Sequence, residues 1–360
     1  MSTELPTAVR NGQAPRAAYG KPSPEDVARR QRNLERAYVL GAAELADEVI
    51  ALLDRVESPD WRLVETGIGP LDAALTIAPS TVTVLAGRPG MGKSTVAKIL
   101  AMREMRGISA SGQAGQRVVV YVTLEEGADK LAIQLGGVGA TYRDIVRRRY
   151  DRGMIRQRAD RLVSTLGALK VIRHPGIQGG RLAPAVSAEI VLRSVERMVA
   201  DDGLAVSMLV LDYLQLMKAD GREASERSKT EHVTAASNGA VMLSRALRCP
   251  VILAVQAGRD VDNRAMPLPT LADMQYASAI EQDADNILGL YRPAADEKHQ
   301  AKIATDGESW IEAPRLKVTP ELMLMNVIKS RNDGCSGWRF GAHVDPVRFE
   351  MHSIDMGLSQ

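Results

Sequence analysis

Two rhythms of apolar residues divide this chain. From about residue 23 to about 57 they recur every three or four positions. Leu45, Val49, Leu52 and Val56 form one stripe at 4-3-4 spacing, which predicts an amphipathic helix. Ser23-Pro24-Glu25-Asp26 supplies its start: a hydroxyl cap, a proline at the first helical position and acids in the first turn. Gly41 is a point of interruption, and Ser58-Pro59-Asp60 ends the segment. Packing on its own core is the commoner meaning of such a stripe and docking on a neighbouring subunit the sharper one; the stripe alone does not decide between them. From about residue 61 the rhythm changes. Short apolar runs at 82–86, 118–122, 208–211, 251–255 and 286–291 alternate with helical stretches. Continuous apolar runs mean strands buried on both faces, so the pattern predicts an α/β fold with a mostly parallel sheet covered by helices. Segments near 322–329, 338–344 and 347–351 predict a hairpin-rich edge. Residues 218–230 and 293–320 are polar and turn-rich and are expected to be exposed loops, the second long enough to be an insertion. Residues 1–22 lack periodicity and read as a disordered tail. The expected organisation is thus a tail (1–22), N-terminal or linker helices (23–60) and one large domain (61–360).

Composition narrows the class without choosing a function. Of 360 residues, 45% are apolar and 25% charged, ordinary for a water-soluble globular chain. No apolar run approaches the ~18 residues needed to cross a bilayer, and the N-terminus has no apolar signal core, so no membrane partner is expected and the cytoplasm is the expected compartment. Two cysteines, Cys249 and Cys335, cannot build a disulfide framework. The net charge of +2 does not advertise nucleic acid, although a neutral total can conceal a basic channel. Aromatics make up only 4%, so any nucleic-acid contact is expected to run through phosphates rather than base stacking. The five histidines are scattered without metal-ligand spacing, and no zinc is expected.

The chemistry begins at Gly87-Arg88-Pro89-Gly90-Met91-Gly92-Lys93-Ser94, which fits GxxxxGK[ST]. It follows a strand pattern and precedes a helical run, the setting in which this motif holds phosphate. Glycines let the loop wrap closely around phosphate oxygens, and the helix N-terminus adds partial positive charge. Residues 88–95 (Arg88, Pro89, Gly90, Met91, Gly92, Lys93, Ser94, Thr95) are therefore the expected nucleotide-binding set. Lys93 would reach the β- and γ-phosphates, and Ser94 would ligate Mg²⁺. The apolar run 208–211 ends in Asp212, a second Mg²⁺-linked position. Glu125 and Glu126 follow the run 118–122. Strand alternation lets at most one of them face a γ-phosphate.

Taken in order, these motifs resemble the C-terminal ATPase domain of DnaB-type replicative helicases, over roughly residues 44–352. AGRPGMGKST (86–95), VTLEE (122–126), LVLDYLQLM (209–217), VILAVQ (251–256), SAIEQDADNILGLYR (278–292) and NVIKSRNDGCSG (326–337) each resemble a family motif, as does the helix 44–57 with TGIGPLD (66–72). The resemblance implies a RecA-like P-loop NTPase core preceded by a linker helix. It implies ATP and Mg²⁺ as cofactors, single-stranded DNA as partner, and a homo-oligomeric ring, most simply of six. Position by position, it implies that Glu125 polarises the attacking water and Asp212 holds the metal. Gln256 would sense the γ-phosphate, and Lys329 and Arg331 would reach into the neighbour's site. Arg259, Gln275 and Ser278 would contact DNA. The apolar stripe of helix 44–57 would then dock on the adjacent subunit.

The chain also departs from the family pattern. About 43 residues precede the linker helix, so the resemblance does not extend to the domain that serves primase and loader contact. In the DNA loop, Gln275-Tyr276-Ala277-Ser278 stands where the family carries Arg-Glu-Ser-Gly, losing one phosphate-gripping arginine. Asp333-Gly334 replaces the finger's Gly-Pro, and 293–320 has no counterpart. Residues 143–161 carry eight arginines against three aspartates, which fits a solvated face or a nucleic-acid or partner contact. The expected function is an ATP-driven helicase or translocase on single-stranded DNA. The alternative is a non-unwinding ATP-dependent scaffold or loader of a mobile element or defence system. A RadA- or KaiC-like role on the same fold is disfavoured by the LDYLQLM string.

Overall fold

The computed structural model describes residues 41–58, 61–124, 126–136, 140–174, 177–178, 181–182, 185–212, 229–274, 277–312 and 315–355. The expected tail 1–22, the helix start at 23–26, Glu125, Gln275 and all but the last two residues of 218–230 lie outside them. The chain divides into two units, Met1–Trp61 and Arg62–Gln360.

In the first unit, helix α1 (Ala42–Glu57) carries the apolar stripe. Its first turn is held by Glu44, whose carboxylate accepts from the Gly41 N–H at 2.9 Å, while Arg55 complements the dipole in the last turn. No residue of α1 is buried, and Leu45, Val49, Leu52 and Val56 are 45–57% exposed.

The second unit runs α2 (Gly69–Ala74), β1 (Val82–Gly87), α3 (Lys93–Ala110), β2 (Arg117–Thr123), α4 (Ala128–Gly136), α5 (Tyr142–Val146), α6 (Arg152–Thr165), β3 (Leu169–Arg173), β4 (Ile177–Gln178) and β5 (Arg181–Leu182). It continues α7 (Ala188–Asp202), β6 (Ala205–Asp212), α8 (Lys229–Leu247), β7 (Val251–Gln256), α9 (Ala277–Asp283), β8 (Asn286–Tyr291), α10 (Glu297–Asp306), β9 (Trp310–Ile311), β10 (Leu316–Lys317), β11 (Leu322–Ser330), β12 (Arg339–Asp345) and β13 (Glu350–Ile354). One nine-stranded sheet has the order β13-β12-β11-β8-β1-β7-β6-β2-β3. The six strands from β8 to β3 are parallel, and β11 to β13 add an antiparallel flank.

Alternation along the strands feeds two cores. Leu85, Val119, Tyr121, Met208 and Val210 face one side, packed with Val96, Ile99 and Leu100 of α3. Val84, Val120, Leu209 and Leu211 face the other, with Val191 of α7 and Leu243 of α8. Both faces being covered explains why these strands read as unbroken apolar runs. The edge strand β3 has no such signature. Lys170 and Arg173 interrupt it and it is only partly buried, so the sequence pattern passes over it. Two further expectations need correction. Residues 293–320 are not simply a loop: they hold α10 and the β9–β10 hairpin, and a third cluster joins Ile311 and Val318 to Tyr291, Leu322 and Leu324. The last strand begins at Glu350 rather than 347, because 346–349 forms the turn, with Phe349 at φ +56°.

The turn after β11 is fixed by Asp333. Its carboxylate accepts from the Thr76 N–H at 2.8 Å, the Thr76 hydroxyl at 2.7 Å and the Ser330 hydroxyl at 2.9 Å. Burial opposes its ionisation, but the bonds from Thr76 and Ser330 outweigh that and hold the carboxyl below its usual range. A depressed folded-state pKa gives stability that is present above the unfolded value and lost as pH falls through the folded one. Asp333→Asn is therefore expected to lower stability by about 1 kcal/mol at neutral pH, with the deficit closing below about pH 4. Thermal unfolding of both proteins across pH 3–8 checks this; a deficit independent of pH contradicts it.

Candidate active site

Parallel strands place their carboxyl ends on one edge, and the loops there build the site. The loop between β1 and α3 passes through Gly90 at φ +79° and Gly92 at φ +90°. A side chain at Gly92 would be strained by about 1–2 kcal/mol. Gly92 is also the cap residue of α3, so the helix N-terminus opens directly onto the loop. Lys93 Nζ donates to the carbonyls of Gly87 and Arg88, each at 3.0 Å, which holds the ammonium in the loop's mouth. Pro89, Gly90, Gly92, Lys93, Ser94 and Thr95 line an open cleft of about 250 Å³ together with Glu126, Asp212 and Gln256. The Met91 side chain packs against the third apolar cluster rather than lining the cleft.

Asp212, the last residue of β6, is buried. The Ser94 hydroxyl donates to one of its oxygens at 3.0 Å, and the Tyr121 hydroxyl donates to the other at 2.7 Å. Burial and then Asp212 itself push the Tyr121 phenol well above its ordinary value, so it remains a neutral donor. A hydroxyl and a carboxylate in contact at the cleft are hard oxygen donors, the chemistry that suits Mg²⁺. Sequence reasoning found Ser94 and Asp212 and missed Tyr121, which reads only as one more apolar position in β2. Tyr121→Phe is expected to cost about 1–2 kcal/mol, because Asp212 loses a buried partner. Equal unfolding free energies for the two proteins in a urea titration would count against that bond.

Glu126 belongs to the cleft. Its carboxylate accepts from Lys98 Nζ at 2.8 Å, and Lys98 also donates to Gln134 at 2.5 Å. Burial raises the Glu126 pKa, but the Lys98 bond and charge and the Gln134 amide overcome it, leaving the carboxyl below its usual range. Lys98 is a buried ammonium one turn beyond Ser94 on α3, and no motif announces it. Glu125 lies outside the described residues.

Gln256 ends β7, in register with Gly87. The chain then enters a short 3-10 turn, Arg259–Asn263, closed by Arg264, whose guanidinium meets Asp273 at 2.6 and 2.7 Å. Arg88 ties the phosphate loop to this segment through Asp262, at 3.0 and 3.1 Å, and the Ala257 carbonyl at 3.2 Å. Arg259 and, on α9, Ser278 are exposed. Gln275 lies outside the described residues.

Lys329 and Arg331 stand elsewhere. β11 runs antiparallel to β8, and Ser330 pairs with Asn286, the first residue of β8. Arg331 lies one residue past the strand, yet both side chains reach the same turn. Lys329 Nζ donates to the carbonyls of Glu281 and Ala284 at 2.5 and 2.7 Å. Arg331 meets Asp285 at 2.9 Å and the Gln282 carbonyl at 2.7 Å. The pair therefore sits at the amino edge of the parallel strands, about 20 Å from the phosphate loop across the six residues of β1.

A helix-covered parallel sheet with a phosphate loop at its carboxyl edge defines a phosphate-loop fold of the RecA-like class. One solved ATPase domain superposes with a TM-score of 0.61 at 18% identity, covering 86% of this chain and 99% of that one. A DnaB-like replicative helicase, solved in a study of its interactions with primase, gives 0.60 at 19%, covering 91% and 74%. The chain belongs to the DnaB-like helicase C terminal domain family, whose profile matches residues 64–338. It is 30% identical over 231 residues to the replicative DNA helicase DnaB of Pasteurella multocida strain Pm70, covering 64% of this chain and 46% of that protein. It is 27% identical over 257 residues to the DnaB of Haemophilus influenzae, covering 71% and 52%. The chain thus spans about half the length of the curated relatives it matches. Among the described residues no helix is long and apolar enough to cross a membrane.

Proposed function

We propose that this chain is the ATP-hydrolysing motor of a ring-forming helicase that moves along single-stranded DNA, with nucleotide held between subunits. The phosphate loop residues 88–95 bind the triphosphate, with Lys93 against its outer phosphates. Ser94 and Asp212 would hold Mg²⁺, which supplies charge neutralisation on the phosphate oxygens. Glu125 is assigned to the attacking water, as the family resemblance implies. Glu126, held ionised by Lys98, lines the same cleft as the phosphate loop. Gln256 sits where a γ-phosphate would be felt at the end of β7. Arg88 links the loop to the segment bearing Arg259, so a change at the phosphate has a short path to the DNA-contact elements, Gln275 and Ser278 among them.

One observation carries the subunit-interface reading. The cationic pair Lys329 and Arg331 lies at the sheet edge opposite its own phosphate loop. It can complete a nucleotide site only on another copy. The exposed apolar stripe of α1 supports the same assembly, since four large apolar side chains at 45–57% exposure gain by docking on a neighbour. A heterologous contact of this kind closes into a ring, most simply a hexamer. The test is strand displacement on a forked DNA, with the mass of the assembly measured with and without ATP and single-stranded DNA. Displacement by a ring-sized species supports the motor. DNA-stimulated ATP turnover without displacement favours the second reading, a non-unwinding scaffold or loader. The altered loop Gln275-Tyr276-Ala277-Ser278 keeps that reading open. Contact with primase or a loader, and a cytoplasmic setting, belong to the same proposal.

A further inference from the structure

We propose that the surface formed by α5, the turn after it and the start of α6 is a second binding site for single-stranded DNA, separate from Arg259, Gln275 and Ser278. The inference rests on the motor reading for its choice of partner. These elements lie in the crossover from β2 to β3, the edge strand at the end of the sheet opposite β13. Arg143, Arg147, Arg148, Arg149, Arg152 and Arg156 are all exposed. A solvated surface normally interleaves both signs. Here two acids lie among the six arginines; both are taken up as helix caps, and Asp144 also feels the charges of Arg149 and Arg143. Asp144 accepts from the Thr141 N–H at 3.0 Å and from its hydroxyl, and Asp151 accepts from the Met154 N–H at 3.0 Å, each capping a helix. None of the six arginines forms a direct ion pair among the described residues. All six are arginine rather than lysine, and the planar guanidinium fork matches phosphate oxygens.

The backbone adds a second, independent indication. α5 ends in a tight reversal in which Arg149 N–H reaches the Asp144 carbonyl at 2.8 Å and Arg148 N–H reaches the Ile145 carbonyl at 3.0 Å. That pattern puts Arg148 at the left-handed position, φ +57°, where glycine is the unstrained choice. A basic side chain is thus kept at a conformational cost, in the middle of a cluster of like charges that repel one another. Exposed aromatics are interleaved with it: Tyr142 is 39% and Tyr150 40% exposed, in a chain with only 4% aromatic residues. Tyr142 already takes a cation, with Lys130 Nζ at 4.8 Å from its ring centre. Phosphate-matching forks beside exposed rings are what an unpaired strand offers itself to, its bases free to stack and its backbone in reach. On this proposal stacking takes part after all, against the expectation from composition. A carboxylate-rich protein would meet the arginines and leave the rings unused.

The experiment is fluorescence anisotropy of a labelled oligothymidylate with the full chain, without nucleotide, over a range of KCl. The variants are the triple R147A/R149A/R152A and, separately, Arg148→Gly. Each released phosphate contact changes affinity about fourfold at 0.15 M salt, so the triple variant is expected to bind on the order of fifty-fold more weakly and its log–log salt slope to flatten by about 2. Arg148→Gly is expected to bind about fourfold more weakly while unfolding at the same or a higher temperature, because the substitution relieves strain. A purely structural arginine would not separate affinity from stability in this way. Equal binding by wild type and both variants overturns the inference and leaves the motor reading intact. Wild-type binding to polyglutamate but not to oligothymidylate also overturns the inference, and it counts against the motor reading as well. A wild type that binds oligothymidylate through these arginines yet does not turn over ATP supports the inference and sinks the reading it rests on.

Discussion

Lys93→Ala is expected to reduce ATP turnover by at least about 10²–10³-fold, or ~3–4 kcal/mol of lost transition-state stabilisation. On the proposed function the ammonium stands ready beside the outer phosphates, since two loop carbonyls at 3.0 Å already hold it in the loop's mouth. Alanine leaves only the backbone N–H groups and the α3 dipole to face the outer phosphates. Folding should be little affected, because the two carbonyls lie at an open cleft and can turn to water. Steady-state phosphate release, together with an unfolding curve, checks both halves. Turnover within a few-fold of wild type would remove Lys93 from the chemistry.

Arg331→Ala is expected to have an effect as large or larger, with a different signature. An arginine supplied from a neighbour contributes about 10³–10⁵ in rate, roughly 4–7 kcal/mol. Arg331 lies across the sheet from its own nucleotide loop, so nucleotide affinity measured with a fluorescent ATP analogue should stay near wild type while turnover collapses. Within the subunit Arg331 is about half exposed, and its pairing with Asp285 contributes little to stability. Lys329 is the less clean target. Burial, and then the charge of Arg331, lower its pKa, and it satisfies two carbonyls near the end of α9, so its loss would disturb the turn itself.

How much of this was legible in the sequence follows from what burial does to a pattern. Strands β1, β2, β6, β7 and β8 are covered on both faces and stand out as apolar runs. β3 is an edge, with charged residues inside it, and is silent. The phosphate loop declares itself because only glycine tolerates φ near +90° at Gly92 and only a lysine at that offset reaches the mouth. Asp212 declares itself by ending an apolar run. Lys98 and Tyr121 do not, because their roles arise from contacts across elements: a helix residue meeting Glu126, and a strand residue meeting Asp212. The helix and hairpin within 293–320 were hidden by polar composition, since the segment adds little beyond Ile311 and Val318 to an apolar core that is closed by Tyr291, Leu322 and Leu324 of the flanking strands. Family likeness, not periodicity, suggested a role for Lys329 and Arg331. The antiparallel register of β11 gives that suggestion its geometric content.

The account holds that each nucleotide is processed between two copies of the chain, and mixing two inactive proteins tests this most directly. Lys93→Ala keeps its cationic pair and lacks a working phosphate loop; Arg331→Ala keeps the loop and lacks the arginine. Dissociated, mixed and reassembled, they should recover a substantial fraction of wild-type ATP turnover, because some interfaces unite an intact loop with an intact arginine. A mixture as inactive as its two components, in assemblies shown to contain both, would contradict the account.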